Sequence, residues 1–214
     1  MEQRDVIVVG AGNAGQAAAS ALRAAGKTVL LAEERDVGGT CPLRGCVPKK
    51  VLVATAEALD VVARAGALGI DLDPPRIAWA RVMERKRAVL AGTSESMEAG
   101  LRASGVEVAH GSARFVAPDA VQIGDRTVQA GHIVLATGST PRPLALPGAE
   151  LLLTSEDVLE LPAPPDSAVF LGGGPISFEF AHVLARVGCR CTILEPAPWI
   201  TAPTSSVCSA PAWR

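Results

Sequence analysis

Two cysteines, Cys41 and Cys46, stand with four residues between them in Gly38-Gly39-Thr40-Cys41-Pro42-Leu43-Arg44-Gly45-Cys46-Val47-Pro48-Lys49-Lys50. A close thiol pair can pass electrons through a disulfide, supply half of a zinc site, or lie inert in a core. Fully extended, the step from Cys41 to Cys46 would cover about 17 Å. A disulfide needs Cα atoms within roughly 7 Å, so the segment must fold back to be redox-active. Pro42 and Gly45 permit an irregular turn that does this. A helix expected over residues 51–65 and ended by Gly66 would put Cys46 near its start, where the helix dipole lowers a thiol pKa. Zinc is disfavoured by the spacing, by the sequence distance to Cys189, Cys191 and Cys208, and by the lack of a histidine close in sequence. Redox chemistry is the favoured reading, with zinc and inert thiols as the open alternatives.

A redox pair needs an electron supply, and the elements before the loop offer a nucleotide site. Residues 5–9 are a buried-strand run, followed by Gly10-Ala11-Gly12-Asn13-Ala14-Gly15 and an Ala-rich helix from about Gln16 to Ala25. Residues 28–32 form a second strand that closes on Glu33. Gly10 permits the tight turn, Gly12 lets a pyrophosphate approach the backbone, and Gly15 lets the helix pack on the strand. The helix N-terminus offers unpaired N–H groups to phosphates. Glu33 is placed to accept hydrogen bonds from a ribose. The pattern recurs later: residues 168–171 lead into Gly172-Gly173-Gly174-Pro175-Ile176-Ser177, a helix over 178–187, and a strand over 191–194 closing on Glu195. Ser177 stands where the third glycine would be.

Between the two units, apolar residues from Trp79 to Leu101 recur at helical spacing, which predicts one long helix over 76–104. Trp79, Val82, Met83, Val89, Leu90, Met97 and Leu101 form its core stripe, and the charged run Arg81 to Arg87 its solvated face. Short strands are expected over 105–115, 121–123 and 126–128, with Gly124-Asp125 as a turn. Residues 132–141 read as a strand ending at Ala136-Thr137-Gly138. His110, His132 and His182 read as structural. Prolines at 143–147 and 162–165 mark a boundary.

Composition fits this picture. At 49% hydrophobic and 20% charged, the chain is core-forming, and a net charge of −2 with 3% aromatics and no tyrosine disfavours nucleic acid and anionic membranes. The charge-free run from Val6 to Leu22 contains three glycines and reads as strand, loop and helix rather than a membrane span. Without a basic leader at the start, a cytoplasmic location is expected.

Together these motifs resemble the class I pyridine nucleotide-disulfide oxidoreductases, the family of glutathione reductase, dihydrolipoamide dehydrogenase and mercuric reductase. The resemblance rests on the opening glycine loop, Gly-Gly-Thr-Cys with its second cysteine and Pro48, and the Ala-Thr-Gly turn, in that order. It implies an α/β fold with an FAD-binding Rossmann-like domain followed by an incomplete NAD(P)-binding one. The boundaries expected are 1–147 for the FAD-binding domain, 148–198 for the partial nucleotide domain and 199–214 for an irregular tail. It further implies Cys41 as the interchange thiol, Cys46 against the flavin, and Lys49 or Lys50 near flavin N5. Gly10, Gly12, Ala14, Gly15, Glu33, Gly39, Thr40, Ala136, Thr137 and Gly138 would hold FAD. Gly172, Gly174, Ile176 and Glu195 would hold NAD(P)H, with Glu179 matching the glutamate that pairs with the flavin-side lysine. Glu195 would repel a 2′-phosphate and favours NADH. The substrate implied is a disulfide or a related small molecule. Pro42 and Arg44 depart from commoner members, and Pro175 replaces a tyrosine found in some. Family members are longer homodimers with a dimerisation domain and a His–Glu acid, neither of which has a counterpart here, so a fragment, or a truncated or frame-shifted product, is expected. The alternatives are a flavin reductase or diaphorase that does not use the cysteines, and a non-catalytic remnant.

Overall fold

The structure is a computed structural model that describes residues 2–73 and 75–196. The described residues form two compact units, one from Met1–Val51 with Met83–Leu161, the other from Leu52–Val82 with the described residues from Pro162 onward. The first is built on strands β1 (Glu2–Val9), β2 (Val29–Glu33), β3 (Glu107–His110), β4 (Ala113–Ala117), β5 (Ala120–Ile123) and β6 (Arg126–Leu135). Among the described residues they make one sheet in the order β3-β2-β1-β6-β5-β4. β1 pairs in parallel with β2 and β6, and β2 with β3, while β5 runs antiparallel to both β4 and β6.

A parallel sheet needs cover on both faces, and its central strands read as continuous apolar runs. Val6, Ile7 and Val8 of β1 and Leu30 and Leu31 of β2 are accordingly buried. Val6, Val8 and Leu31 join Ala19 of helix α1 (Asn13–Ala24) and Leu101 in one core. Ile7, Leu30 and Val128 join Val121 and Ile123 in the other. β6 is one continuous strand, where the sequence suggested two pieces. Gly131 stays in register because β1 pairs along nearly its whole length, from Val128 to Leu135. The strand expected over 105–115 is instead split at Gly111, whose φ of +144° turns β3 into β4.

The long helix expected over 76–104 is two helices, α4 (Trp79–Leu90) and α5 (Thr93–Ala103). Gly92 breaks it with a left-handed φ of +72°, a conformation that costs glycine nothing. The stripe of α4 is also corrected. Trp79, Val82 and Met83 are buried, but Val89 is exposed, and Lys86 takes a place on the buried face with 1% exposure. Its ammonium donates to the Leu159 carbonyl and to Glu160 Oε1. Lys86 therefore leaves the solvated face assigned to the run Arg81–Arg87.

The second unit contains β7 (Ser167–Leu171), α7 (Pro175–Arg186) and β8 (Arg190–Leu194), with β7 and β8 pairing in parallel. This is a βαβ unit. Phe180, Val183 and Leu184 of α7 are buried, whereas Val169, Leu171 and Leu194 are exposed on the strands. Much of α3 (Cys46–Ala63) belongs here too, where Asp60 accepts from Arg186 Nε at 2.9 Å and from its Nη2. The expected tail over 199–214 lies outside the described residues.

Candidate functional site

The first unit brings its glycine loop, its cysteine loop and its Ala-Thr-Gly turn to one end of the parallel strands. Gly10 has φ +100° and donates from its amide to Ala32 O at 2.8 Å, closing β1 against β2. A methyl on Gly10 would lie 2.3 Å from Ala136 O, so the turn after β6 sits directly against the first glycine. A methyl on Gly15 would lie 1.8 Å from Gly10 O. Gly39 approaches the loop from the other side, where its methyl would lie 2.7 Å from Gly12 Cα. Gly38 adds a bond from its amide to Ala11 O at 2.9 Å. Each close approach is one that only glycine allows.

These approaches leave a backbone-lined cradle over the start of α1. Gly12 caps that helix without a side-chain bond, so the cap residue leaves the first-turn amides of Asn13, Ala14 and Gly15 to other partners. Such a helix start accepts a phosphate. Glu33 ends β2 beside it, its Oε2 accepting from Ala11 N at 2.7 Å and its Oε1 from Arg35 N at 2.9 Å. Thr137 and Gly138 continue from Ala136, with φ +75° at Gly138 and open space around it.

The cysteine loop folds back through a short helix, α2 (Thr40–Arg44), which replaces the irregular turn expected there. Gly45 breaks it, and α3 begins at Cys46, five residues earlier than the sequence suggested. Pro48 is fully buried in the first turn of α3, where a missing N–H is harmless. Cys41 is half-buried and Cys46 exposed, both as free thiols. Cys46 does stand at a helix start, but its thiol is shifted upward, not downward. The Cys41 thiol beside it is the main cause and burial the next, with Lys49, one turn along, pulling the other way. In the reduced pair the neighbouring Cys41 thiol opposes ionisation of Cys46.

Sequence reasoning missed what anchors this loop. Arg44, noted only as a departure, donates from Nη1 to Asp36 Oδ2 at 2.9 Å, and Arg35 donates from Nη2 to Glu156 Oε2 at 3.0 Å. Glu156 lies on α6 (Ser155–Val158), which a capping box between Thr154 and Asp157 starts. The spacing of Thr154 and Asp157 was the available signal. An open depression of about 420 Å³ beside Arg44 is also lined by Asp36, Lys86 and Glu160, whose charges pair with one another. His110 likewise has a partner, with its Nε2 2.9 Å from Glu98 Oε2.

The second unit repeats the geometry. Gly172 has φ +106° and donates to Leu194 O at 2.8 Å, and Gly173 N donates to Glu195 Oε2 at 2.6 Å. These match Gly10 to Ala32 and Ala11 to Glu33 atom for atom. Gly174 caps α7, again without a side-chain bond. Pro175 at the first helical position removes one donor, leaving the Ile176 and Ser177 amides in that turn. Glu179 follows on α7.

Residues 4–213 match the family described as pyridine nucleotide-disulphide oxidoreductase. The chain belongs to that family. Among its relatives, the dihydrolipoyl dehydrogenase of Chlamydia pneumoniae is 35% identical over 205 residues, covering 94% of this chain and 44% of the relative. The dihydrolipoyl dehydrogenase of Bacillus subtilis (strain 168) is 34% identical over 198 residues, covering 89% and 43%. The glutathione reductase of Burkholderia cepacia is 34% identical over 184 residues, covering 86% and 41%. The chain thus spans less than half the length of these relatives. No helix among the described residues is long and apolar enough to cross a membrane.

Proposed function

We propose that this chain carries the electron-transfer half of an NAD(P)H-dependent disulfide oxidoreductase. The observation that supports it most directly is the cysteine loop itself. Gly39 packs against Gly12, and two neighbouring thiols follow at once in α2 and α3. The glycine cradle fits an FAD pyrophosphate, because methyl groups at Gly10, Gly15 or Gly39 would collide with the backbone that shapes it. Gly12, Ala14, Gly15, Gly39 and Thr40 would hold the phosphates, Glu33 the adenosine ribose, and Ala136 to Gly138 the opposite wall. Gly172, Gly174, Ile176 and Glu195 would hold the nicotinamide cofactor, NADH in preference, since Glu195 offers a carboxylate where a 2′-phosphate would need a cation. A bound flavin would supply two-electron relay between nicotinamide and Cys46.

The chain's own residues then act on the substrate. The Cys41 thiolate attacks one sulfur of a substrate disulfide, forming a mixed disulfide and releasing one substrate thiolate, which takes up a proton. The Cys46 thiolate attacks the Cys41 sulfur, releasing the second substrate thiol and leaving a Cys41–Cys46 disulfide. Two electrons and one proton from NAD(P)H, with a second proton from solvent, return both thiols. Lys49, whose charge already favours the Cys46 thiolate, and Lys50 belong to this flavin-facing side.

The test is a visible absorption spectrum of the purified protein, followed by anaerobic NADH. Flavin absorption and NADH-dependent loss of an internal disulfide, read by mass spectrometry after alkylation, are the expected results. Disulfide reduction should be lost in Cys41→Ser. Dye reduction that survives Cys46→Ser together with unchanged disulfide turnover would instead favour a diaphorase, and absence of flavin a non-catalytic remnant.

A further inference from the structure

A second thiol pair lies in the second unit, apart from the redox loop. Gly188, with φ +95°, turns the chain from α7 toward β8, and Cys189 N donates to Leu184 O at 3.1 Å. Cys189 is buried and Cys191, two residues on, is half-buried. Residues two apart along an extended strand share a face. Here that face is the one toward α7, for Cys191 Sγ lies 3.7 Å from Ala181 O and 3.7 Å from Cys189 O. Cys189 Sγ lies 3.9 Å from Arg190 O. The Cys189 thiol stands near enough to Cys191 to oppose its ionisation. Phe180, Val183 and Leu184 make the surroundings apolar.

This setting is poor for thiol exchange. Burial, then the Cys189 thiol, push the Cys191 thiol up to about 11, and no cation opposes them. At neutral pH only roughly one such thiol in ten thousand is a thiolate, the form that attacks. A thiophilic cation needs no prior thiolate, because binding itself displaces the proton. Donor number selects the ion. Structural zinc and iron–sulfur clusters take four protein donors and catalytic zinc three, whereas among the described residues no group of three or more His, Cys, Asp or Glu could hold a metal. Two soft donors suit a soft ion of low coordination number.

We propose that Cys189 and Cys191 form a two-coordinate thiolate site for a soft monovalent d10 cation of the cuprous class. One cuprous ion replaces two thiol protons, giving a bis-thiolate complex and two protons in solution, with no change of oxidation state. The site ties the start of β8 to itself under α7, so occupancy stabilises the second unit.

The test uses the full chain carrying C41S, C46S and C208S, which leaves only Cys189 and Cys191. Cuprous ion is titrated anaerobically against bicinchoninate as competitor. One ion per chain is expected, with two sulfur neighbours by X-ray absorption and affinity rising about a hundredfold per pH unit as two protons are displaced. Adding C189S or C191S should weaken binding at least a hundredfold. Unchanged affinity in those variants, nitrogen or oxygen neighbours, or copper bridging two chains would each overturn the site. A count on the otherwise unsubstituted chain gives an independent reading, since C191S should remove one cuprous equivalent there, and no loss would equally overturn it.

Discussion

Residue identity at the cradle is set by two different constraints, and glycine satisfies each for its own reason. Gly15 sits in ordinary helical backbone, but a methyl there would lie 1.8 Å from Gly10 O. Gly138 has a left-handed φ of +75° with open space around it. Gly15→Ala must therefore move the loop, and we expect it to destabilise the protein by about 1–3 kcal/mol or more and to abolish flavin retention on purification. Gly138→Ala carries only the backbone cost, about 1–2 kcal/mol, and should keep the flavin. Thermal unfolding with flavin absorption on both variants checks the pair, and equal flavin loss in the two would refute the distinction. The glycines were legible in the sequence because strand, loop and helix flank them in order. The packing of Gly39 onto Gly12 was not, since it joins residues remote in sequence across loops that carry no periodicity.

Elements were legible where a local signal stood alone and lost where two competed. Both βαβ units read correctly because an apolar strand, a glycine turn and an Ala-rich or amphipathic helix agree. The pair α4 and α5 read as one helix because Ala91 and Gly92 interrupt the spacing without changing its phase. Lys86 was misplaced for a related reason. Charge suggested a solvated face, while its spacing from Trp79, Val82 and Met83 placed it on the buried stripe. The cost of burying an ammonium is offset by the Leu159 carbonyl and Glu160, which tie α4 to the segment after α6. Replacing Lys86 by Met keeps the apolar stem and strands the carbonyl. We expect a loss of about 1–3 kcal/mol, measured by urea unfolding, with Glu160→Gln costing less because Glu160 is largely exposed. If Lys86→Met proved neutral, the helix would be held by its apolar stripe alone.

For the molecule as a whole, paired carboxylates set the acid limit of stability. Arg186 hydrogen-bonds hold Asp60 below the usual carboxylate range against the cost of burial. Burial pushes Glu107 up, yet the Arg126 and Arg4 hydrogen bonds prevail and leave it lowered. Arg102, with His110, does the same for Glu98. Each of these groups is more acidic folded than unfolded, so its contribution is complete above the unfolded pKa, near 4, and is lost as pH falls through the folded value. His182 adds to the same limb from the other direction. Burial foremost, then Arg186, lower its pKa, so the folded state resists a proton that the unfolded chain accepts as pH falls through about 6.5. Stability should therefore be level above neutral pH as far as these groups are concerned, decline gently from about pH 6.5 and fall steeply below about pH 4. His182→Gln should remove the gentle decline and leave the steep one. Asp60→Asn should lower the plateau and make the steep fall shallower, because Arg186 then lacks the Asp60 carboxylate at every pH. Melting temperatures of the three proteins across pH 3 to 8 separate these effects. A gentle decline that persists in His182→Gln would show that some other group takes up the proton.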